Sequence, residues 1–347
     1  MAPSRATALS SSRRTPPNQT LDLPGGVRPL QINWARSVAV ISVHLLALAA
    51  LVPWLFSWTG VILVFVGHHV FGMLGITLCF HRLLAHRALT VPKGFERFLA
   101  TLGVCCLQDT PARWVAIHRM HHHHADKQDD PHSPEAGFLW GHVGWLLYEN
   151  RDHLGLKNCD RYAHDILRDP YYFWLERRAN RLLIYALHAI LFYLIGWCIG
   201  GACFGGALAG MQFGLSLVVW GVLVRTVVVW HITWAVNSIT HLSGYRNYET
   251  REHSHNNWLV ALLSHGEGWH NNHHAMPRCA NNGHKWWEFD LTFQVVRLLQ
   301  AVGLAKHVVV LTADTPDDAA PVPLPSQRLR SPVQPSQGDL KRSCPEA

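Results

Sequence analysis

The stretch that decides the fold is residues 60–86, GVILVFVGHHVFGMLGITLCFHRLLAH. Its first 21 residues carry no charged side chain. A helix of about 20 apolar residues is long enough to cross the ~30 Å hydrocarbon core of a bilayer. Two histidines, His81 and His86, follow as soon as the apolar run ends. The sequence therefore predicts a membrane-spanning helix that brings metal-ligand side chains to one membrane surface.

Three further apolar blocks extend this interpretation to the whole chain. Residues 38–58 and 182–204 carry no charge, and residues 209–236 carry one, Arg225. Buried helices of soluble proteins are usually shorter and apolar along one stripe only. Charged residues make up 15% of the chain, against about 25% in an ordinary soluble domain. We therefore expect an all-α integral membrane protein with four transmembrane helices, near 38–58, 60–80, 182–204 and 209–236.

The distribution of charge predicts the topology. The short links at residues 59–60 and 205–208 carry no charge, so the spans form two tight hairpins. Arginines cluster instead at the opposite ends of the spans, as at Arg36, Arg82 and Arg178. The positive-inside rule places this side, with both termini and a helical cap, in the cytosol. Anionic lipid explains the net charge of +7 better than nucleic acid does, so we expect no nucleic-acid partner.

The two ends of the chain differ from its middle in composition. The N-terminal residues are basic and rich in Ser, Pro and Thr, and the C-terminal ones are rich in Pro, Ser and Asp. Such segments bury too little apolar surface to offset the entropy of ordering. We expect disordered tails at residues 1–37 and 312–347, on either side of a membrane domain at 38–311.

Histidines are unusually frequent, with 25 in the chain, and their spacing is not random. Two triplets have the spacing His-x-x-His-His, which places three imidazoles on one face of a helix. His81 and His86 are five residues apart and do not share a face of a regular helix, so we expect one of them beyond a helix end or a bend. Nine imidazoles are too many for one metal ion, and the pattern predicts two. The nine are His81, His86, His118, His121, His122, His241, His270, His273 and His274.

The ligand type narrows the identity of the metal. Imidazole suits zinc, copper, iron and nickel. Structural zinc is normally satisfied by four ligands, so nine histidines without cysteine fit a paired redox metal better. Neutral imidazoles leave the positive charge of the metals uncompensated, which favours a strongly oxidising centre once dioxygen is bound. Ligand imidazoles also need hydrogen-bond acceptors that fix their tautomer. The candidate acceptors near the clusters are Asp126, Asp129, Asp130 and Glu267.

At these residues the sequence resembles the membrane fatty-acid desaturases of the stearoyl-CoA (Δ9) type. The shared motifs are HRLLAH at 81–86, HRMHH at 118–122, DPH at 130–132, NSITH at 237–241 and GEGWHNNHH at 266–274. The resemblance covers about residues 38–308. It implies four transmembrane helices and a cytosolic cap that holds two iron ions through the nine histidines, with Asn237 acting through a water molecule and dioxygen as co-substrate.

The resemblance also implies a substrate. Members of the family thread a saturated acyl chain into a kinked tunnel beneath the metals and form a cis double bond. An acyl chain has no functional group near carbon 9, so the enzyme selects its carbon by the depth and bend of the tunnel, which position the C–H bond. We expect Δ9 desaturation of C16 to C18 chains. The positions that line the bend in the family are Gln108, Trp114, Thr233 and Trp234 here.

Two features bear on the partners. In animal acyl-CoA desaturases the residues before the second histidine motif include Arg and Asp, whereas this chain has Val115, Ala116 and Ile117. We therefore expect the substrate to be an acyl-CoA or an acyl-lipid. The absence of Arg and Asp at these positions weakens the case for acyl-CoA. No fused cytochrome b5 domain is expected, so electrons come from a separate donor such as ferredoxin or cytochrome b5.

Two alternative functions stay open. One is a lipid hydroxylase with the same metal chemistry, which its hydroxylated product would distinguish. The other is a non-enzymatic metal-binding or transport protein, which predicts polar residues that continue through the spans. His68, His69, His188 and His231 lie in the apolar blocks and hint weakly at such a path. The main clusters, however, lie outside the membrane.

Overall fold

The structure is a computed structural model that describes residues 21–152 and 156–311. Within these residues the chain forms helices and a few isolated bridges, such as Ile32 with Tyr148, but no β-strand. Four segments are long and apolar enough to span a membrane. The prediction of an all-α membrane protein with four spans is confirmed. The spans are Trp34–Leu51, Trp58–Ala85, Arg178–Phe204 and Gly206–His241.

The regular elements follow one another closely. The α-helices are α1 (Trp34–Ala47), α2 (Trp58–Gly67), α3 (Lys93–Val104), α4 (Pro111–His124), α5 (Trp145–Leu147), α6 (Leu156–Leu167), α7 (Pro170–Leu175), α8 (Arg178–Phe204), α9 (Gly206–Val218), α10 (Arg225–Ser238), α11 (Trp258–Leu263), α12 (His270–Ala275) and α13 (Leu291–Ala301). Segments wound as π-helices are His68–Ala85, Trp140–Gly144 and Val219–Val224. Turns of 3₁₀-helix are Gly25–Val27, Leu48–Leu51, Pro53–Leu55, Pro134–Ala136 and Ile239–His241.

The first span is displaced toward the N-terminus relative to the expected residues 38–58. The Asn33 side chain caps α1 by accepting from the Arg36 N–H at 3.1 Å. The span ends at Leu51 because Pro53 opens a separate short turn. Residues 21–37 thus belong to the ordered chain rather than to the expected tail. Residues 1–20 and 312–347, where we also expected disorder, lie outside the described residues.

The second and fourth spans continue beyond the residues that the apolar blocks predicted. The second continues from 80 to Ala85, and the fourth continues from 236 to His241. Residues 75–85 are all buried, so this end of the second span is covered by protein and not by lipid. These two extensions carry His81 and His241 out of the apolar layer to the place where the other histidines gather.

Glycines allow the third and fourth spans to pack closely. A Cβ on Gly196 would lie 2.7 Å from the Gly214 Cα, and one on Gly210 would lie 2.6 Å from the Trp197 carbonyl oxygen. Small residues of this kind let membrane helices approach each other closely. The connecting Gly205 has a φ of +92°, a conformation that favours glycine. The two spans therefore form one of the two predicted hairpins.

The cap consists of residues 86–152, 156–177 and 242–311, of which those before 178 lie between the second and third spans and the rest follow the fourth. Its largest core includes the buried end of the second span, α3, α4 and α13. Thr77 in the second span contacts Thr292 in α13, with 2.8 Å between their hydroxyl oxygens. The cap is thus fastened to the span that carries the first histidine motif.

Candidate metal centre

The nine expected histidines converge in two adjacent groups. In each group, one ligand atom from every histidine lies within 4.8 Å of the others. The spacing in the sequence predicted the set of nine but not its division into five and four. The first group is His81, His86, His118, His122 and His273, and the second is His121, His241, His270 and His274.

The π-helical winding of the second span brings His81 and His86 together. The His86 N–H donates to the His81 carbonyl oxygen at 3.1 Å, an i to i+5 bond that closes a π-turn. The ring centroids are consequently 4.8 Å apart. His86 follows the last helical residue, Ala85, as expected from its spacing. The spacing of these two histidines predicted a helix end or a bend between them, and the π-helical winding was not foreseen.

Each His-x-x-His-His triplet contributes to both groups. One triplet lies in the last turns of α4, which Thr110 caps by accepting from the Arg113 N–H at 3.4 Å. The other lies in α12. Because each helix faces both groups, the two triplets hold the groups side by side. The first group receives His118, His122 and His273, and the second receives His121, His270 and His274.

Two of the predicted acceptors are aspartates in the turn after α4. Asp126 Oδ2 lies 2.9 Å from His241 Nδ1, and Asp130 lies 3.0 Å from His121 Nδ1. Asp129 was expected to act in the same way, but it is exposed, and no hydrogen bond among the described residues joins it to either group. The turn directs Asp126 and Asp130 inward and leaves Asp129 outside.

The third acceptor, Glu267, lies in the last motif and pairs with the second span. Its Oε2 lies 2.6 Å from His81 Nδ1, and Arg82 donates to Oε1 at 2.8 Å and 3.1 Å. Burial alone would raise the pKa of Glu267, but His81 and Arg82 outweigh that effect and lower it to about 2. Glu267 is therefore a buried anion beside the first group.

Some residues around the two histidine groups were not identified as candidates from the sequence. Arg82 also donates to Asp290 at 2.8 Å. Arg119 donates to the carbonyl oxygens of Leu84 and Ala85, both at 2.9 Å. These carbonyl oxygens at the end of the π-helix therefore have hydrogen-bond donors. Arg82 directly follows His81 and Arg119 directly follows His118, and these His-Arg pairs are the sequence pattern that could have identified the two arginines. Two others, Glu252 and His132, lie near His274 and His121, respectively.

Six of the nine imidazoles in the two groups are neutral because they are buried. Burial, reinforced by neighbouring imidazoles, lowers their pKa well below its ordinary value. Neutral imidazole is the form that binds a metal ion. The three carboxylates offset part of the positive charge that we expected to be uncompensated. The residues with a lowered pKa are His86, His118, His122, His270, His273 and His274.

The geometry fits metal ions between the rings. The carboxylates fix protons on Nδ1 of His81, His121 and His241, which leaves a lone pair on each Nε2. His81 Nε2 lies 3.1 Å from His273 Nε2, and His241 Nε2 lies 3.1 Å from His270 Nε2. Two ligand nitrogens bound at roughly 2.0–2.1 Å to one metal ion lie about this far apart. The donor set therefore fits two cations held by imidazole nitrogen.

A cavity of about 330 Å³ leads to this centre. Gln108 Nε2 donates to Thr233 Oγ1 at 2.8 Å, and Trp114 Nε1 donates to Gln108 Oε1 at 3.4 Å. The Trp114 ring also stacks on His118, with their centroids 5.0 Å apart. All four positions expected at the tunnel bend thus line one cavity. They are Gln108, Trp114, Thr233 and Trp234, joined by His118 and Asn237 near the metal groups.

Comparisons with known proteins agree in pointing to one family. The family model for fatty acid desaturases matches residues 53–306. An sn-1 stearoyl-lipid 9-desaturase of Anabaena variabilis is 44% identical over 278 residues, which is 80% of this chain and 94% of the relative. An sn-2 palmitoyl-lipid 9-desaturase of Nostoc is 40% identical, over 80% of this chain and 91% of the relative. An acyl-CoA 5-desaturase of Anemone leveillei is 37% identical, over 88% and 91%.

Proposed function

Since the chain belongs to the fatty acid desaturase family and is thus a membrane oxidoreductase, we propose that it forms a cis double bond at carbon 9 of C16 to C18 acyl chains. The reaction consumes dioxygen and takes place at a di-iron centre. One observation carries the proposal: two adjacent groups of imidazoles lie beside a cavity with a largely apolar lining, which reaches the first group at His118.

The nine histidines would hold the iron ions, and Asn237 would complete the second group through water. Support comes from the five and four converging nitrogens and from Asn237, which lines the cavity one helical turn before His241. The chemistry supplied by bound iron is reduction of dioxygen to two waters, with two electrons from the acyl chain and two from a donor. A ligand set of imidazole nitrogens without cysteine suits a metal that changes its oxidation state at this centre.

The protein's own residues position the substrate and protect the centre. The hydrogen-bonded set of Trp114, Gln108 and Thr233 holds the wall of the cavity in one shape, so that two adjacent methylenes face the imidazoles. Asp126, Asp130 and Glu267 hold protons on Nδ1 of their histidine partners and so keep Nε2 free for iron. Burial of the histidines keeps bulk water away from the reacting carbons.

An acyl-lipid is the carrier that we propose. Two relatives at 40–44% identity are named for stearoyl-lipid or palmitoyl-lipid, whereas one named for acyl-CoA is 37% identical. The apolar Val115, Ala116 and Ile117 agree with this choice. Electrons come from a separate donor, ferredoxin or cytochrome b5. The arginines at the cap side support a cytosolic position for the centre and both termini.

Expression in a host that lacks an aerobic desaturase tests the function. Gas chromatography of the lipids should show a new monounsaturated acid with its double bond at carbon 9. His273→Ala should abolish the product, whereas His123→Ala, which changes an exposed histidine next to His122 in α4, should not. A hydroxylated acid would indicate a lipid hydroxylase. An iron-loaded protein that forms no product with several donors would indicate a metal-binding or transport protein.

A further inference from the structure

Arg225 is a buried charge inside the membrane-spanning region. It lies in the fourth span, within the apolar block at residues 209–236, and its side chain has no exposed surface. A charged side chain in a membrane span is costly and marks a functional site by default. Arg225 belongs to neither histidine group, so the metal centre does not explain it.

The hydrogen bonds of Arg225 lead to the linker between α3 and α4, residues 105–110. Nη1 donates to the Cys105 carbonyl oxygen at 3.0 Å and to Cys106 Sγ at 3.7 Å. On the other side of the guanidinium, Nη2 lies 3.2 Å from His188 Nε2 in the third span. None of these partners is a carboxylate. The cation therefore acts as a set of donors that ties the linker to two spans, and not as half of an ion pair.

Two further side chains of α10 hold the same linker. Trp230 Nε1 donates to the Cys106 carbonyl oxygen at 2.7 Å, and Thr233 Oγ1 accepts from Gln108 Nε2 at 2.8 Å. Arg225 is the charged member of the three, and hydrogen bonds from a charged donor are stronger than those between neutral groups. We therefore expect the loss of Arg225 to loosen the linker most.

The linker needs such anchors because its backbone is strained. Leu107 has a φ of +52° and Asp109 has a φ of +73°, conformations that are uncommon for residues other than glycine. Strain of this kind persists only where surrounding contacts maintain it. Leu107, Gln108 and Asp109 also line the cavity of about 330 Å³. The shape of this cavity wall therefore depends on how firmly the linker is held.

We propose that Arg225 is a positioning residue, which holds the linker in place and so sets which carbons of the acyl chain face the metal groups. The inference rests on the proposed function. Arg225 itself does not line the cavity, so it acts through the linker and not by touching the chain. A misplacement of about 1 Å is enough to disturb a reaction that depends on position. A loosened linker should therefore spread the double bond over neighbouring carbons.

The position of the double bond tests the proposal. The full-length protein and its variants are expressed in the desaturase-deficient host, and mass spectrometry locates the double bond in the products. Arg225→Met removes the donors and should raise the fraction of product unsaturated away from carbon 9 about tenfold. Arg225→Lys keeps the charge and a donor for the Cys105 carbonyl oxygen, so its products should stay closer to the native ones. Tyr185→Phe removes only the 3.3 Å contact with Thr226 and should leave the products unchanged.

Alkylation of cysteine gives a readout that does not depend on activity. Cys106 is buried in the linker, whereas Cys79 and Cys279 are buried in other parts of the protein. Purified protein in detergent is treated with N-ethylmaleimide, and the reaction rate of each cysteine is measured by mass spectrometry of its peptide. Opening of the linker should make Cys106 react about tenfold faster in Arg225→Met than in the native protein. The rates at Cys79 and Cys279 should not change, because their surroundings keep their packing.

Trp230→Phe provides an independent check if Arg225→Met fails to accumulate. It removes the donor to the Cys106 carbonyl oxygen without removing a charge, and it should shift both readouts in the same direction. An accumulated variant of either kind with the native double-bond position would overturn the proposal. Equal acceleration at Cys79 and Cys279 would also overturn it, since that pattern indicates a general loss of stability. Failure of the native protein to desaturate any chain would overturn the proposed function instead, and the Cys106 rates would still test the linker.

Discussion

His81 Nδ1 lies 2.6 Å from Glu267 Oε2, so the first and the last histidine motifs are joined directly inside the protein. These residues are 186 positions apart in the chain and lie on different elements. The contact fixes the tautomer of a metal-group imidazole and anchors the loop before α12. Arg82 shares the same carboxylate, which makes Glu267 the junction between the second span and the cap.

Neutralising this junction should weaken metal binding. Glu267→Gln keeps the shape but removes the anion that faces His81 and Arg82, and loss of such a partner typically lowers metal affinity about 10–100-fold. Iron retained against increasing chelator measures the effect. Asp160→Asn breaks the exposed pair with His164 and should leave the chelator curve unchanged. Equal retention by both variants would show that Glu267 does not support the centre.

Replacing Arg119 should lower the stability of the cap and not only the activity of the protein. Its guanidinium is buried and donates to the carbonyl oxygens of Leu84, Ala85 and Tyr162 and to Asp165. Arg119→Met leaves these acceptors unpaired, so we expect a loss of about 3 kcal/mol in the free energy of unfolding. Thermal unfolding in detergent measures it. Arg161→Met, at an exposed helix position, should change little, and equal stability of both variants would contradict the account.

Metal-free protein should become less stable as the pH falls from about 7.5 to 5.5. Six buried histidines have a pKa well below the ordinary value when folded, whereas in the unfolded chain they titrate near pH 6.5. Below that pH the unfolded state binds more protons, so stability rises with pH, by up to about 1.4 kcal/mol per pH unit for each proton. The unfolding midpoint of chelated protein across this range measures the slope. A flat profile, or greater stability in acid, would contradict the burial of neutral imidazoles.

The bend of the larger cavity should affect where the double bond forms. Thr233→Val removes the oxygen that accepts from Gln108 at 2.8 Å while keeping the volume of the side chain. Without that anchor the wall loses its single shape, and we expect a roughly tenfold loss of turnover together with products unsaturated at neighbouring carbons. Mass spectrometry of the double-bond position measures it. Thr226→Val, in the same helix and near Tyr185, is the matched control.

Much of this architecture could be predicted from local sequence. Spans of about 20 apolar residues are visible in composition because the bilayer imposes their length. The two triplets are visible because three histidines at i, i+3 and i+4 share a helical face. The boundaries were less predictable: Pro53 ends the first span early, and protein rather than lipid covers residues 75–85.

The arrangement within the site depends on contacts between distant residues, which spacing does not reveal. The π-turn that joins His81 to His86 has no simple signature in the sequence. Three acidic residues follow α4 at similar distances along the chain, yet the turn directs only Asp126 and Asp130 toward histidines. Glu252 approaches His274 only because the chain after α10 folds back over α12.

The central claim is dioxygen-dependent desaturation of an acyl chain, and the most direct test is the stoichiometry of the purified protein. Iron-loaded protein is placed in bilayers that contain a stearoyl lipid, with ferredoxin or cytochrome b5 kept reduced. Oxygen consumption and double bonds formed are measured together. We predict one cis double bond at carbon 9 for each dioxygen consumed, and no product with His273→Ala. Formation of a hydroxylated chain, or oxygen consumption without a change in the lipid, would contradict the account.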